Sequence, residues 1–197
     1  MPGDFVELAL QTIATEGEDA TLARLIAKLD EAPLPVRRDY MFLLTLVPCE
    51  AALAWLEARI ESPVVGVWGR TAAWLGIDWP RIAAWMSRGR PHSLAALDAL
   101  DAYAKPGPGS SGLARAMEPV LPSAPSVEEL NAALAALKAV DDSPRVMKSV
   151  EEITGLAREI LRPGPSPGIS ARAFFERLLA KERAEKERWN RRRRRDH

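Results

Sequence analysis

Leu25-Ile26-Ala27-Lys28-Leu29-Asp30-Glu31-Ala32-Pro33-Leu34-Pro35-Val36-Arg37-Arg38 is answered downstream by Trp55-Leu56-Glu57-Ala58-Arg59-Ile60-Glu61-Ser62-Pro63-Val64-Val65-Gly66-Val67-Trp68. Each stretch reads as an apolar helix, an acidic residue, a proline-bearing turn and a second apolar helix. Apolar residues such as Leu22, Leu25, Ile26 and Leu29 recur at helical spacing,. One such unit cannot bury its apolar face alone, so units stack and build an extended surface rather than a pocket.

Working outward, residues 1–104 read as a series of short helices. The first is broken near Gly17, and a helix over Val36 to Val47 partners the one ending before Pro33. Pro48, Pro63, Pro80 and Pro91 sit where later helices open, a position that tolerates a missing amide proton,. Val36, Tyr40 and Leu44 superpose on Val67, Thr71 and Leu75, and Ala96 and Leu100 give a poorer third copy. The pattern resembles the short HEAT-like repeats of phycobilisome lyases. The resemblance rests on Leu29-Asp30 before the turn, Val36-Arg37 after it and Leu75-Gly76 closing the second unit. It implies a right-handed α-solenoid with a protein-binding role and no obligatory catalytic residues.

Residues 105–125, rich in Pro, Gly and Ser, form a linker,. Its Gly107-Pro108-Gly109-Ser110-Ser111-Gly112 matches a dinucleotide-binding glycine pattern, but that pattern works only after a strand and at a helix N-terminus,. Residues 126–162 read as a helical hairpin. Ser126 to Glu129 makes a capping box, and Ser143-Pro144 opens the second helix,. A second linker, 163–169, leads to a basic C-terminal helix and arginine tail over 170–197. The expected fold is all-α: a short HEAT-like solenoid, a helical hairpin and a detachable basic helix.

Composition excludes several functions. One cysteine, Cys49, forms no internal disulfide and fits a reducing compartment, so a cytoplasmic protein is expected,. The opening Met1-Pro2-Gly3-Asp4 lacks a leader pattern, and no apolar run approaches the ~18 residues that read as a membrane span,. His92 and His197 with Cys49 cannot complete a zinc cluster,. His92 reads as a solvated or capping side chain. Asp98 and Asp101 read as salt-bridge partners of Arg88 or Arg90, and Ser110 and Ser111 have no triad partner in sequence. No enzyme activity, metal or cofactor is expected.

Two binding surfaces are expected instead. On the concave face, Arg37, Arg38, Trp68, Arg70, Trp79 and Arg81 are candidates for contact with another protein, while Trp74 reads as core. Tryptophan is enriched at interface hot spots, and five of the six lie between Trp55 and Trp85; for the cluster as a whole packing is the first reading, with Trp68 and Trp79, beside the turns, the better candidates for contact,. In the tail, Arg188, Trp189, Arg191, Arg192, Arg193, Arg194 and Arg195 combine phosphate-binding forks with a ring able to stack on a base,. Net charge is zero, yet residues 172–197 carry 11 Lys/Arg against 5 Asp/Glu and the remainder 16 against 22. A protein-interaction scaffold is the first reading and a nucleic-acid-associated protein the alternative. The tail folding back on its own acidic body, or bridging two copies, is a third. A remote one is a HEAT-like alkylpurine DNA glycosylase using Asp78, Trp79, Arg81, Arg88 and Arg90, for which the body lacks the expected basic charge.

Overall fold

The computed structural model describes residues 3–33, 41, 43–47, 49–61, 68–104, 119, 121–161 and 171–193, and among these there is no strand. The chain opens with α1 (Gly3–Glu16) and α2 (Glu18–Glu31), which pack on each other. Gly17 separates them at φ +89, a conformation L side chains rarely adopt,. α2 begins with Glu18 and Asp19 and carries Lys28 in its last turn, an order that suits the helix dipole,. Its apolar stripe, Leu22, Leu25 and Leu29, is buried.

The expected Val36–Val47 helix lies partly outside the described residues. Met41 and Leu43 are helical, and the segment then tightens into a 3-10 turn, Leu44–Leu46, rather than continuing to Val47. α3 (Cys49–Glu57), α4 (Trp68–Trp74), α5 (Trp79–Ser87) and α6 (His92–Ala104) follow. Pro80 stands in the first turn of α5 as expected, behind an Asp78 cap that accepts from the Arg81 amide at 3.1 Å. Pro91 directly precedes α6, while Pro48 and Pro63 lie outside the described residues. At the end of α4, Gly76 turns the chain at φ +78, and Gly76 and Ile77 donate to the carbonyls of Ala73 and Ala72,.

α4 and α6 pack closely, and small residues allow it. A Cβ on Gly69 would stand 2.0 Å from the Ala95 carbonyl oxygen and 2.8 Å from the Ala99 amide. Ala72, Ala73, Ala96 and Ala99 are buried in the same two helices. The Tyr103 hydroxyl lies 3.1 Å from the Ala73 carbonyl and 2.9 Å from that of Ile77, at the end of α4.

The expected hairpin comprises α7 (Val127–Val140), α8 (Pro144–Gly155) and a short α9 (Ala157–Ile160). The capping box forms: Glu129 N–H donates to Ser126 Oγ at 3.1 Å, and Ser126 N–H donates to Glu129 Oε2 at 2.7 Å. α7 packs on α5, while α8 and α9 pack on α6. Leu130, Leu134 and Leu137 of α7, with Val146, Val150 and Ile153 of α8, are buried. α10 (Ala171–Arg193) returns to α1 and the 3-10 turn. One contiguous apolar core therefore runs from Val6 to Leu179, with Trp85, Leu56, Leu75, Ile82 and Leu100 at its centre. No described helix is long and apolar enough to cross a membrane.

Candidate functional site

The tryptophans locate the surface by elimination. Trp68 is 3% exposed and Trp79 is 7% exposed, so both belong to the core and neither can contact a partner as expected. The cause is area: each ring removes a large apolar surface from water when it packs, and a position beside a turn does not cancel that gain. Trp68 opens α4 with its ring 6.2 Å from that of Trp55. Arg59 covers Trp55 from outside, its guanidinium 4.8 Å from the ring centre, and is held there by a two-pronged bond to Asp30 at 3.1 Å. Trp85 is fully buried, and its indole donates to Glu57 at 2.8 Å. Trp74, expected in the core, is half-buried.

The arginines of the body divide in the same way. Arg81 pairs with Glu50 at 2.9 Å and lies 4.0 Å from Glu57; the bond to Glu50 holds its pKa above the usual value. Arg88 takes Glu57 at 3.4 Å, and Arg90 takes Asp141 at 2.5 Å and also donates to Ser143. Arg88 and Arg90 are thus paired with carboxylates other than Asp98 and Asp101. Asp98 instead accepts from the Arg70 backbone amide at 3.3 Å, and burial pushes its carboxyl above the usual value. The Arg70 side chain is exposed, while Arg37 and Arg38 lie outside the described residues. His92 stands edge-on to Trp85 at 6.4 Å, and burial, then Arg88, lowers its pKa.

The residues weighed for a glycosylase groove are thus occupied: Asp78 caps α5, Trp79 is buried, and Arg81, Arg88 and Arg90 face carboxylates. Among the described residues no group of His, Cys, Asp and Glu could hold a metal ion. The glycine-rich stretch 107–112 lies outside them.

α10 has two parts. In its first turns Phe174 and Phe175 meet edge to face at 5.2 Å, Phe175 packs against the core and Leu179 is 9% exposed. Arg172 joins Glu18 at 2.7 Å and Glu176 at 3.1 Å, and Arg183 joins Glu7 on α1. This part of α10 packs on the body, with Glu18 and Glu7 as its partners there. From Ala180 every side chain through Arg191 is exposed. Trp189, at 58%, is by far the most exposed of the described tryptophans. Glu185 pairs with Lys181 at 3.9 Å and Glu187 with Arg191 at 3.5 Å. Arg188 and Lys186 have no ion-pair partner among the described residues, and the sequence continues Arg192 to Arg195. The side chains of Arg192 and Arg193, and all of Arg194 and Arg195, lie outside the description.

Sequence reading missed the clasp made by Arg172 and Arg183, because its partners are 154 and 176 residues away and no local pattern links them. It missed Glu57 as a shared acceptor for the same kind of reason. Compared with protein-family models, curated proteins and solved structures, the chain matches none.

Proposed function

We propose that this chain is a non-catalytic binding protein in which a stack of helix pairs is the platform and the outer half of α10 makes the contact. The partner is a polyanion, and the phosphate backbone of nucleic acid fits best. The observation that carries this is the unbroken exposure of residues 180–191, ending in Arg188, Trp189 and Arg191 and followed in sequence by four more arginines. Arginine forks match phosphate oxygens, and their charge is always present. The acidic body repels polyanions, so it confines contact to the arm.

The platform is read as a right-handed HEAT-like solenoid, and contact separations support that reading. Stacked units bring equivalent residues side by side, so contacts recur at the unit length. Asp30 meets Arg59 across 29 positions, Glu57 meets Trp85 across 28, Arg70 meets Asp98 across 28, Glu50 meets Arg81 across 31 and Ala73 meets Tyr103 across 30. The packing of α7 on α5 and of α8 on α6 extends the stack by one more unit. The lone Cys49 suits a cytoplasmic setting,.

Protein binding by the platform is the second reading, favoured by exposed Arg70 and half-buried Trp74 on the same helix. One experiment separates the two. The full chain and a variant with Arg188, Arg191 and Arg192 to Arg195 changed to alanine are titrated with nucleic acid at several salt concentrations. Affinity should fall steeply with salt in the parent and be largely lost in the variant, since each neutralised phosphate releases counterions. Equal, salt-independent or absent binding by both would refute the arm as the contact and leave the platform reading.

A further inference from the structure

We infer that α10 carries a site for duplex nucleic acid along its outward face, where Arg177, Lys181, Arg188 and Arg191 stand in a row against the phosphate backbone. This deepens the reading above and rests on it. It adds to the contact Arg177 and Lys181, which precede the last ion pair of α10 with the body.

The register of the helix carries the argument. Residues three, four, seven and eleven positions apart share one face of an α-helix. Arg172, Phe175, Leu179 and Arg183 follow that spacing and mark the face that meets the body. Phe175 packs against the core, Leu179 is buried, and Arg172 and Arg183 pair with Glu18 and Glu7. Lys186 continues this face past the body. At ~3.6 residues per turn, Arg177 stands about half a turn away from Leu179. Lys181, Ala184, Arg188 and Arg191 recur four, seven, eleven and fourteen positions after Arg177, so all five share the opposite face. Every one of them is exposed, and no acidic residue interrupts the row.

Charge and shape together choose the occupant. Arg177 and Arg188 have no ion-pair partner among the described residues. Lys181 and Arg191 each hold a glutamate one turn away, at 3.9 and 3.5 Å. Exposed pairs of that kind contribute little and are screened by salt, so a phosphate can displace the glutamate. The row is about 21 Å long at ~1.5 Å per residue. It sits on a helix already seated by Phe175 and Leu179, so its cations are ordered before a partner arrives. A partner whose charges are also fixed loses least freedom on binding. Duplex nucleic acid offers one phosphate charge per ~1.7 Å of axis, about 12 over this length. A single strand or an acidic peptide would first have to be straightened. Phosphate contacts carry no sequence information, so binding should be indifferent to sequence.

The test uses the full chain with three probes: a mixed-sequence duplex, one of its strands alone, and poly-L-glutamate. Each is titrated between about 50 and 200 mM salt, a range over which one phosphate contact makes affinity fall about 3.5-fold. The duplex should bind tightest. Arg177→Gln and Lys181→Gln should each remove one such factor from the salt dependence, and Ala184→Arg, which fills the gap in the row, should add one. Lys186→Gln makes the same change of charge on the other face and should stay close to the parent. Glutamine and arginine are good helix formers, so circular dichroism should show α10 intact in all four variants. If Lys186→Gln matches Arg177→Gln, net charge governs binding and the row is refuted. If Arg177→Gln, Lys181→Gln and Ala184→Arg all behave as the parent while the arginine-to-alanine variant loses binding, contact is confined to the outer arm. The row then falls and the polyanion reading survives. A single strand bound as tightly as the duplex would refute the duplex assignment, and poly-L-glutamate bound as tightly would make the partner an acidic protein. Binding to none of the three would overturn both readings.

Discussion

At the scale of single residues, Gly69 and Asp98 show how closely α4 and α6 are set. No side chain fits at Gly69, because the atoms a Cβ would meet are the backbone of α6 rather than the end of a flexible chain. Gly69→Ala is expected to force the helices apart and cost at least ~2 kcal/mol, toward the upper end of overpacking penalties, despite alanine's better helix propensity. Chemical denaturation would read that loss, and an unchanged midpoint would contradict the packing described. Asp98 sits at the same crossing. Its folded pKa is raised by burial, so the native state holds the proton more tightly than the unfolded chain. Stability from this group is present below its unfolded value and is lost as pH rises through the raised folded value. Asp98→Asn keeps an acceptor for the Arg70 amide and removes the charge. The variant should be more stable than the parent near neutral pH, with the advantage shrinking as pH falls toward 4. A pH-independent difference would rule out the charge as its cause.

At the scale of elements, the ends of helices were legible because caps obey local rules. Gly17, Pro80, the Ser126–Glu129 box and Ser143-Pro144 each act within four residues, and each stands where its sequence placed it. Packing was legible for the tryptophan cluster as a whole, but not for Trp68 and Trp79 in particular. Adjacency to a turn says where a ring starts, not which neighbours close over it. The seating of α10 was illegible for the stronger reason that Glu7 and Glu18 become its partners only through the whole fold. That seating has a testable division. Phe175 and Leu179 anchor the first half, while the side chains from 180 to 191 are exposed. Phe175→Ala with Leu179→Ala should unseat α10 and leave the remaining helices folded. Amide exchange in residues 172–183 should then rise toward the rate expected of the exposed residues 184–191, and trypsin should cut faster at Arg172 and Arg177. Loss of protection throughout the body would show instead that α10 is integral to the core.

At the scale of the whole molecule, the last helix pair is fastened to the body by Arg90, which reaches across 51 and 53 positions to Asp141 and Ser143 at the α7–α8 turn. Asp141 is largely enclosed while Arg90 is half exposed, so the pair exceeds a typical surface bridge in order but not in kind. A double-mutant cycle with Arg90→Ala and Asp141→Ala should return a coupling of about 0.5–1 kcal/mol at neutral pH. Arg90, then Ser143, holds the Asp141 carboxyl below its usual value. The coupling is therefore present above the unfolded carboxylate value and vanishes as pH falls through the lowered one. A coupling that persisted in strong acid would argue for packing rather than charge.

The clasp between α10 and α1 also sets an order in time. The long-range hydrogen bonds described within the body close loops of 26 to 53 residues, whereas Arg172 to Glu18 and Arg183 to Glu7 close loops of 154 and 176. Longer loops carry a larger entropy of closure and arrive later in folding. On a ribosome the difference is absolute, since the clasp cannot begin until residue 183 has emerged, and the helices before it emerge earlier and can stack in the meantime. The chain thus completes its body first and seats its last helix afterwards.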